Sequence, residues 1–254
     1  MVVAAEGAGK TTLARQVGML SAAGIHPFTR EKMPPLRTLM IDLENPERII
    51  RRTTGKIFQK IKSFGMDEQM DNAYLWTKAD GLNLLKPQDR AMMEEKVAAT
   101  EPDLILFGPI YKSFLDPGGQ TAEAICTQLV RFFDYLRIKY DCSLWMEHHA
   151  PLGSAGNREL RPFGSAVWSR WSEFGLAIQP DPTDPELIQF NHYRGQREVR
   201  EWPLICKRGA TWPFEVVEWA DTGADAIPDN DPRSDEALNE QLAAGIFDDK
   251  VSPW

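Results

Sequence analysis

The segment Ala4-Ala5-Glu6-Gly7-Ala8-Gly9-Lys10-Thr11 has the composition and spacing of a loop that wraps phosphate. It fits the pattern GxxxxGK[ST] with alanine in place of the first glycine. Small residues let successive backbone N–H groups curl around phosphate oxygens at a helix N-terminus, where the helix dipole also favours negative charge. Glu6, Gly7, Ala8, Gly9, Lys10, Thr11 and Thr12 would form the cradle. Lys10 would reach the β- and γ-phosphates of ATP, and the Thr11 hydroxyl would ligate Mg²⁺. The apolar run Met1–Ala5 precedes the loop, and Leu13, Val17 and Leu20 follow at helical spacing with Gly24 as a stop. A glycine-rich turn with a surface lysine is the bland alternative, and it leaves that strand–loop–helix context unexplained. The strand starts at Met1, so either it is unusually short or the chain lacks residues upstream.

The elements that must position this loop alternate between apolar runs and amphipathic stretches, the signature of parallel strands joined by helices. Strands are expected at Thr38–Glu44, Ala73–Thr77, Asp103–Phe107 and Cys142–Glu147. One helix is expected after Asn45 as N-cap and Pro46 at its first position, ending near Gly65, and another carries Ile125, Leu129, Phe132, Leu136 and Tyr140. Beyond a long polar loop at Ala150–Pro162, short β-like runs near Gly175–Gln179, Leu187–Tyr193, Trp202–Lys207 and Phe214–Trp219 read as antiparallel edge strands. The fold class is therefore α/β, with a domain over 1–219 and a mostly flexible acidic tail over 220–254.

Composition sets the outer limits. The 254 residues are 43% hydrophobic and 26% charged, enough for one sizeable core. The formal net charge of −8 is uneven: Glu215–Trp254 holds 11 acidic and 2 basic residues, leaving 26 acidic against 27 basic before it. A near-neutral body does not suggest a protein that coats nucleic acid, although local basic loops remain available. With no apolar run of membrane length and no basic leader, a cytoplasmic protein without a membrane partner is expected. Cys126, Cys142 and Cys206 lack metal-site spacing and read as reduced thiols.

With these residues in place, the chain resembles the RecA-like ATPases of phage and plasmid replicative helicases, over about residues 1–219. That resemblance implies a three-layer αβα sandwich whose mostly parallel sheet ends in antiparallel edge strands, a hexameric ring, single-stranded DNA in its channel, and contacts with other replication proteins. TLMIDLENPERIIRR looks like the family's strand ending in the glutamate that activates water, which implies that role for Glu44. Alternatively Glu44 and Glu47 merely favour a helix N-terminus. Relatives carry a Mg²⁺-shell aspartate after the strand matching Asp103–Phe107, whereas this chain has Gly108-Pro109. Asp42 or Glu44 could supply that carboxylate; Asp103 lies at the wrong strand end. In SLWMEHHA, His148 or His149 would match the γ-phosphate sensor, or else be an ordinary polar strand end.

Arg158 and Arg161 in the following loop, with Lys112 in KSFLDPGG, are the expected contacts to DNA phosphates. Trp168 and Trp171 suit core packing better than base stacking, because their spacing of three is helical. In WPLICKRGATWPFEV, a hairpin like the family's, Arg208 would reach the nucleotide of the next subunit, with Lys207 and then Arg194 in reserve. A cation so placed is worth about 10³ to 10⁵ in rate elsewhere; solvated turn cations are the alternative. Four functions compete: a translocating motor, a loader, recombination or regulatory ATPase of the same fold, a small-molecule kinase, and a binding-only module with inactive ATPase chemistry, which Gly108 suggests.

Overall fold

A computed structural model describes residues 1–116, 118–150, 162–195, 203–209 and 212–219. The expected acidic tail at 220–254 lies outside the described residues. Among the described residues nine strands form one sheet: β1 (Val2–Ala4), β2 (Thr38–Asp42), β3 (Ala73–Thr77), β4 (Leu104–Gly108), β5 (Ser143–His149), β6 (Gly175–Pro180), β7 (Leu187–Arg194), β8 (Pro203–Lys207) and β9 (Glu215–Trp219). Their order is β3-β2-β4-β5-β1-β6-β7-β8-β9. β1, only three residues long, lies between β5 and β6, parallel to both.

Two apolar layers sandwich this sheet, and the two-residue period of a strand decides which side chain joins which. Met40 and Leu106 pack with Leu13, Val17 and Leu20 of α1 (Lys10–Ala22) and Ile57 and Ile61 of α2 (Glu47–Ser63). Their neighbours Leu39, Ile41, Ile105 and Phe107 face the other layer, with Met93 and Val97 of α3 (Pro87–Thr100) and Leu129, Phe133 and Leu136 of α4 (Ala122–Tyr140). Burial on both faces is why these strands read as unbroken apolar runs.

Three local readings change. α3 was not anticipated, since Met93 and Val97 are the only residues it fully buries and so thin a stripe leaves little periodic signal; its sequence mark is Pro87 in the first turn. Pro46, not Asn45, is the N-cap of α2, because the Asn45 amide is drawn back to the Asp42 carboxylate at 3.2 Å. β6 is parallel to β1 rather than antiparallel, and antiparallel pairing begins only at β7. A short helix, α5 (Val167–Trp171), lies between β5 and β6 in the chain, as a crossover between parallel strands requires. Trp168 of α5 is buried in the core, as its spacing suggested, and the Trp171 indole N–H donates to Asp134 at 2.8 Å.

His148 of β5 also belongs to this core: its ring lies 5.6 Å from that of Trp168, and its Nδ1 meets the His149 carbonyl at 3.0 Å. Burial lowers its pKa from 6.5 to about 4. Between those values the unfolded chain takes up a proton that the native imidazole refuses, so stability is full above 6.5 and falls as pH drops through the window. The whole effect is on the order of 3 kcal/mol. In urea unfolding at about pH 7 and pH 4.5, His148→Phe should lose roughly 2 kcal/mol less than the unsubstituted chain on acidification.

Candidate nucleotide site

β1 stops at Ala4, and the chain turns through Ala5–Gly9 into α1. Gly7 and Gly9 have φ of +74° and +103°, a region that disfavours any side chain. Gly9 has a second constraint, since a Cβ there would sit 3.1 Å from the Phe214 ring. Ala4 shows no such backbone demand, which explains why alanine serves where the pattern has its first glycine. The first turn of α1 presents the N–H groups of Lys10, Thr11 and Thr12 without intrahelical partners. The Lys10 ammonium folds back onto the carbonyls of Ala4 and Ala5 at 3.2 and 3.0 Å. Burial lowers its pKa, while Glu147, Glu44 and Glu6 oppose that shift.

An open cleft of about 240 Å³ lies against this loop, lined by Glu6, Gly7, Lys10, Thr11, Glu44, Glu147 and His149 among others. Glu44, just beyond β2, is exposed there and accepts a hydrogen bond from the Tyr111 hydroxyl at 3.0 Å. Glu47 instead pairs with Arg51 one turn along α2. Asp42 is committed elsewhere. Its carboxylate holds the Arg15 guanidinium at 2.9 Å and accepts the backbone N–H groups of Glu44 and Asn45 at 2.9 and 2.7 Å. It thus ties α1 to the entry of α2, and lines a small pocket with Thr11, Arg15 and Glu147. Asp103 accepts the Arg37 N–H at 2.7 Å at the start of β4, on the opposite edge.

The carboxylate that meets Thr11 is Glu147 of β5, which the sequence reading did not single out: the Thr11 hydroxyl donates to its Oε2 at 2.7 Å. Burial pushes the Glu147 carboxyl up to about 7, with the Thr11 hydrogen bond acting against it. Gly108 lies alongside, where an added Cβ would stand 2.5 Å from the Glu147 Cβ and 3.0 Å from its Cγ. Two signals were available. Glu147 shares a strand face with His149, and a glycine at the end of a buried strand leaves room for a neighbour's side chain.

The two histidines separate by the same alternation. His149 faces the cleft, its ring 5.1 Å from that of Tyr111 and its buried Nε2 without a hydrogen-bond partner. Burial and the nearby Lys10 ammonium hold its pKa below the usual value. Lys112 donates to the Ala79 carbonyl at 3.2 Å. Arg158 and Arg161 lie outside the described residues. Because β8 runs parallel to β1, Lys207 and Arg208 come to the same sheet edge as the phosphate loop, but neither lines the cleft. Lys207 pairs with Glu186 at 3.2 Å, and the Arg208 N–H donates to the Glu186 carbonyl at 3.0 Å. Arg194 is at the opposite edge, bonded to the Ser169 carbonyl at 2.7 Å. Gln16 of α1 clips Phe214 through both backbone groups, accepting its N–H at 2.8 Å and donating to its carbonyl at 2.9 Å.

Comparison with known proteins agrees with this arrangement. No curated protein matches the chain in sequence. Among solved structures, the crystal structure of the RadB recombinase is similar, with a TM-score of 0.55 and 15% identity over 86% of this chain and 91% of that one. The likeness shows the fold, a RecA-like sheet. Residues 1–155 match the model of a family described as the AAA domain. Since that match spans more than half of the 254 residues and contains the loop, the lysine and the strand edge just described, the chain belongs to the AAA domain family, as a P-loop NTPase of RecA-like fold.

Proposed function

We propose that the protein binds ATP with Mg²⁺, hydrolyses it, and couples the cycle to single-stranded DNA as a ring-forming motor of the phage or plasmid replication type. The observation that carries the reading is the convergence of Lys10, Thr11, Glu44 and His149 on one cleft at the carboxyl ends of the strands, where open α/β sheets bind ligands. Backbone N–H groups from Gly7 to Thr12 cradle the phosphates, and Lys10 leaves the carbonyls of Ala4 and Ala5 to neutralise the γ-phosphate. Glu44, at the cleft rim, orients and deprotonates the attacking water. Hard oxygen donors such as the Thr11 hydroxyl and a neighbouring carboxylate suit Mg²⁺. When bound, that ion would supply charge neutralisation on the phosphate oxygens. His149, with a free ring nitrogen in the cleft, is placed to sense the γ-phosphate.

Arg208 stands on the right sheet edge but outside its own chain's cleft, which supports a role in the site of an adjacent subunit, with Lys207 in reserve. Lys112, Arg158 and Arg161 remain the proposed DNA contacts; a ring multiplies a few cations per subunit into an adequate track. The likeness to a protein named as a recombinase favours a second reading, in which the same ATPase assembles on DNA or loads another protein without translocating. ATP turnover with and without single-stranded DNA, together with strand-displacement assays, decides between them. DNA-stimulated turnover with strand displacement supports the motor, and DNA-stimulated turnover alone supports the recombination-type ATPase. An absence of turnover under both conditions refutes both.

Glu44→Gln should lower ATP turnover by about 10²-fold or more, the usual worth of a positioned base, while calorimetry still detects ATP binding. Arg208→Ala should slow turnover by about 10³-fold. Mixing Arg208→Ala subunits with Lys10→Ala subunits should restore part of it, because some interfaces then combine an intact loop with an intact arginine. A cation acting within its own chain gives no such recovery.

A further inference from the structure

We infer that Glu147 on β5 replaces the missing carboxylate of β4 as the group that orients the nucleotide-bound Mg²⁺ and its water shell, and that Gly108 is glycine to make room for it. The assignment rests on the ATPase reading above. Three observations carry it. Glu147 accepts a hydrogen bond at 2.7 Å from the hydroxyl of Thr11, the loop residue proposed to ligate the metal. Its side chain occupies the space over residue 108, where any Cβ would lie 2.5 Å from its own. Thirdly, of the two carboxylates at the end of β2, Asp42 is neutralised by Arg15 and spent on backbone N–H groups, and Glu44 is exposed at the cleft rim, bonded to the Tyr111 hydroxyl.

The register explains the exchange. β4 and β5 are parallel neighbours with Phe107 opposite Met146, so the next residues along, Gly108 and Glu147, are abreast. A carboxylate moved sideways by one strand falls short or overshoots by about the 4.8 Å between strands. Glu147 leans over the bare backbone of Gly108 and covers part of that interval with its extra methylene, which an aspartate lacks. The pair is therefore one device made of two residues, and Glu147 is a positioning residue that acts through Thr11 and the metal's water shell.

The test separates metal-dependent from metal-independent binding. Calorimetric titration of a non-hydrolysable ATP analogue is run in Mg²⁺ and in EDTA, with circular dichroism as the check on folding. The unsubstituted chain should bind more tightly in Mg²⁺. Glu147→Gln should keep its EDTA affinity within about threefold and lose about 10-fold or more of the Mg²⁺ enhancement, the usual effect of removing a carboxylate that supports a metal. The combined substitution Gly108→Asp with Glu147→Gly, which returns the carboxylate to β4 and clears the space for it, should recover much of that enhancement. Should Glu147→Gln fail to fold, Gly108→Ala serves instead: it displaces the carboxylate from Thr11 without removing it, and the enhancement should again fall. An undiminished enhancement in a folded single variant, or an equal loss in Mg²⁺ and EDTA, overturns the inference while leaving the ATPase reading intact. No binding by the unsubstituted chain in either buffer removes the reading itself and this inference with it.

Discussion

Parallel register is the constraint on which the site depends. Pairing of β2 with β4 sets Asp42 opposite Gly108, and pairing of β1 with β5 sets Val2 opposite Glu147. The ends of β2 and β4 thereby lie in one row with Glu147, two residues short of the end of β5, and Glu147 reaches Thr11 in the first turn of α1. Within such a row the side chains compete for the same volume above the sheet. One large acidic group fits between Arg15 and Lys10, and the residue beside it must give way.

The electrostatics follow from that crowding. Asp42, Glu147, Arg15 and Lys10 are all nearly enclosed, and an isolated ion so far from water would be costly. Arg15 and Asp42 satisfy one another and the backbone, so they form a closed unit whose worth lies in orientation: losing either partner leaves a buried charge unmatched. Glu147 and Lys10 are less completely matched. Lys10 rests on two neutral carbonyls and Glu147 on one hydroxyl, and burial has moved both towards neutrality. Structural charge in this site is thus paired internally, whereas the charge nearest the loop is less completely matched, an arrangement that suits the proposed ligand, a phosphate chain with its cation.

Much of this was legible in the residues, for identifiable reasons. The loop from Ala4 to Thr11 announces itself because its glycines answer to backbone geometry, and geometry leaves a strict spacing. Buried strands such as Leu104–Gly108 show as apolar runs because both faces are covered. α3 escaped because it buries so little, and the direction of β6 escaped because a strand's composition does not record which way its partner runs. Glu147 is the instructive case. Reading strand by strand, β4 ends in Gly108 with no carboxylate, and the acidic residues of the neighbouring strand, Asp42 and Glu44, are offered its role. Only the register across strands sets Glu147 of β5 beside Gly108 and against Thr11.

The Gln16 amide makes two backbone bonds to Phe214, across 198 residues of sequence. The Phe214 ring meanwhile blocks any side chain at Gly9. The loop's last glycine and the strand that follows Lys207 and Arg208 are therefore cross-braced at their bases. The first helix and the outermost strands thus share one mechanical joint, from the centre of the sheet to its rim.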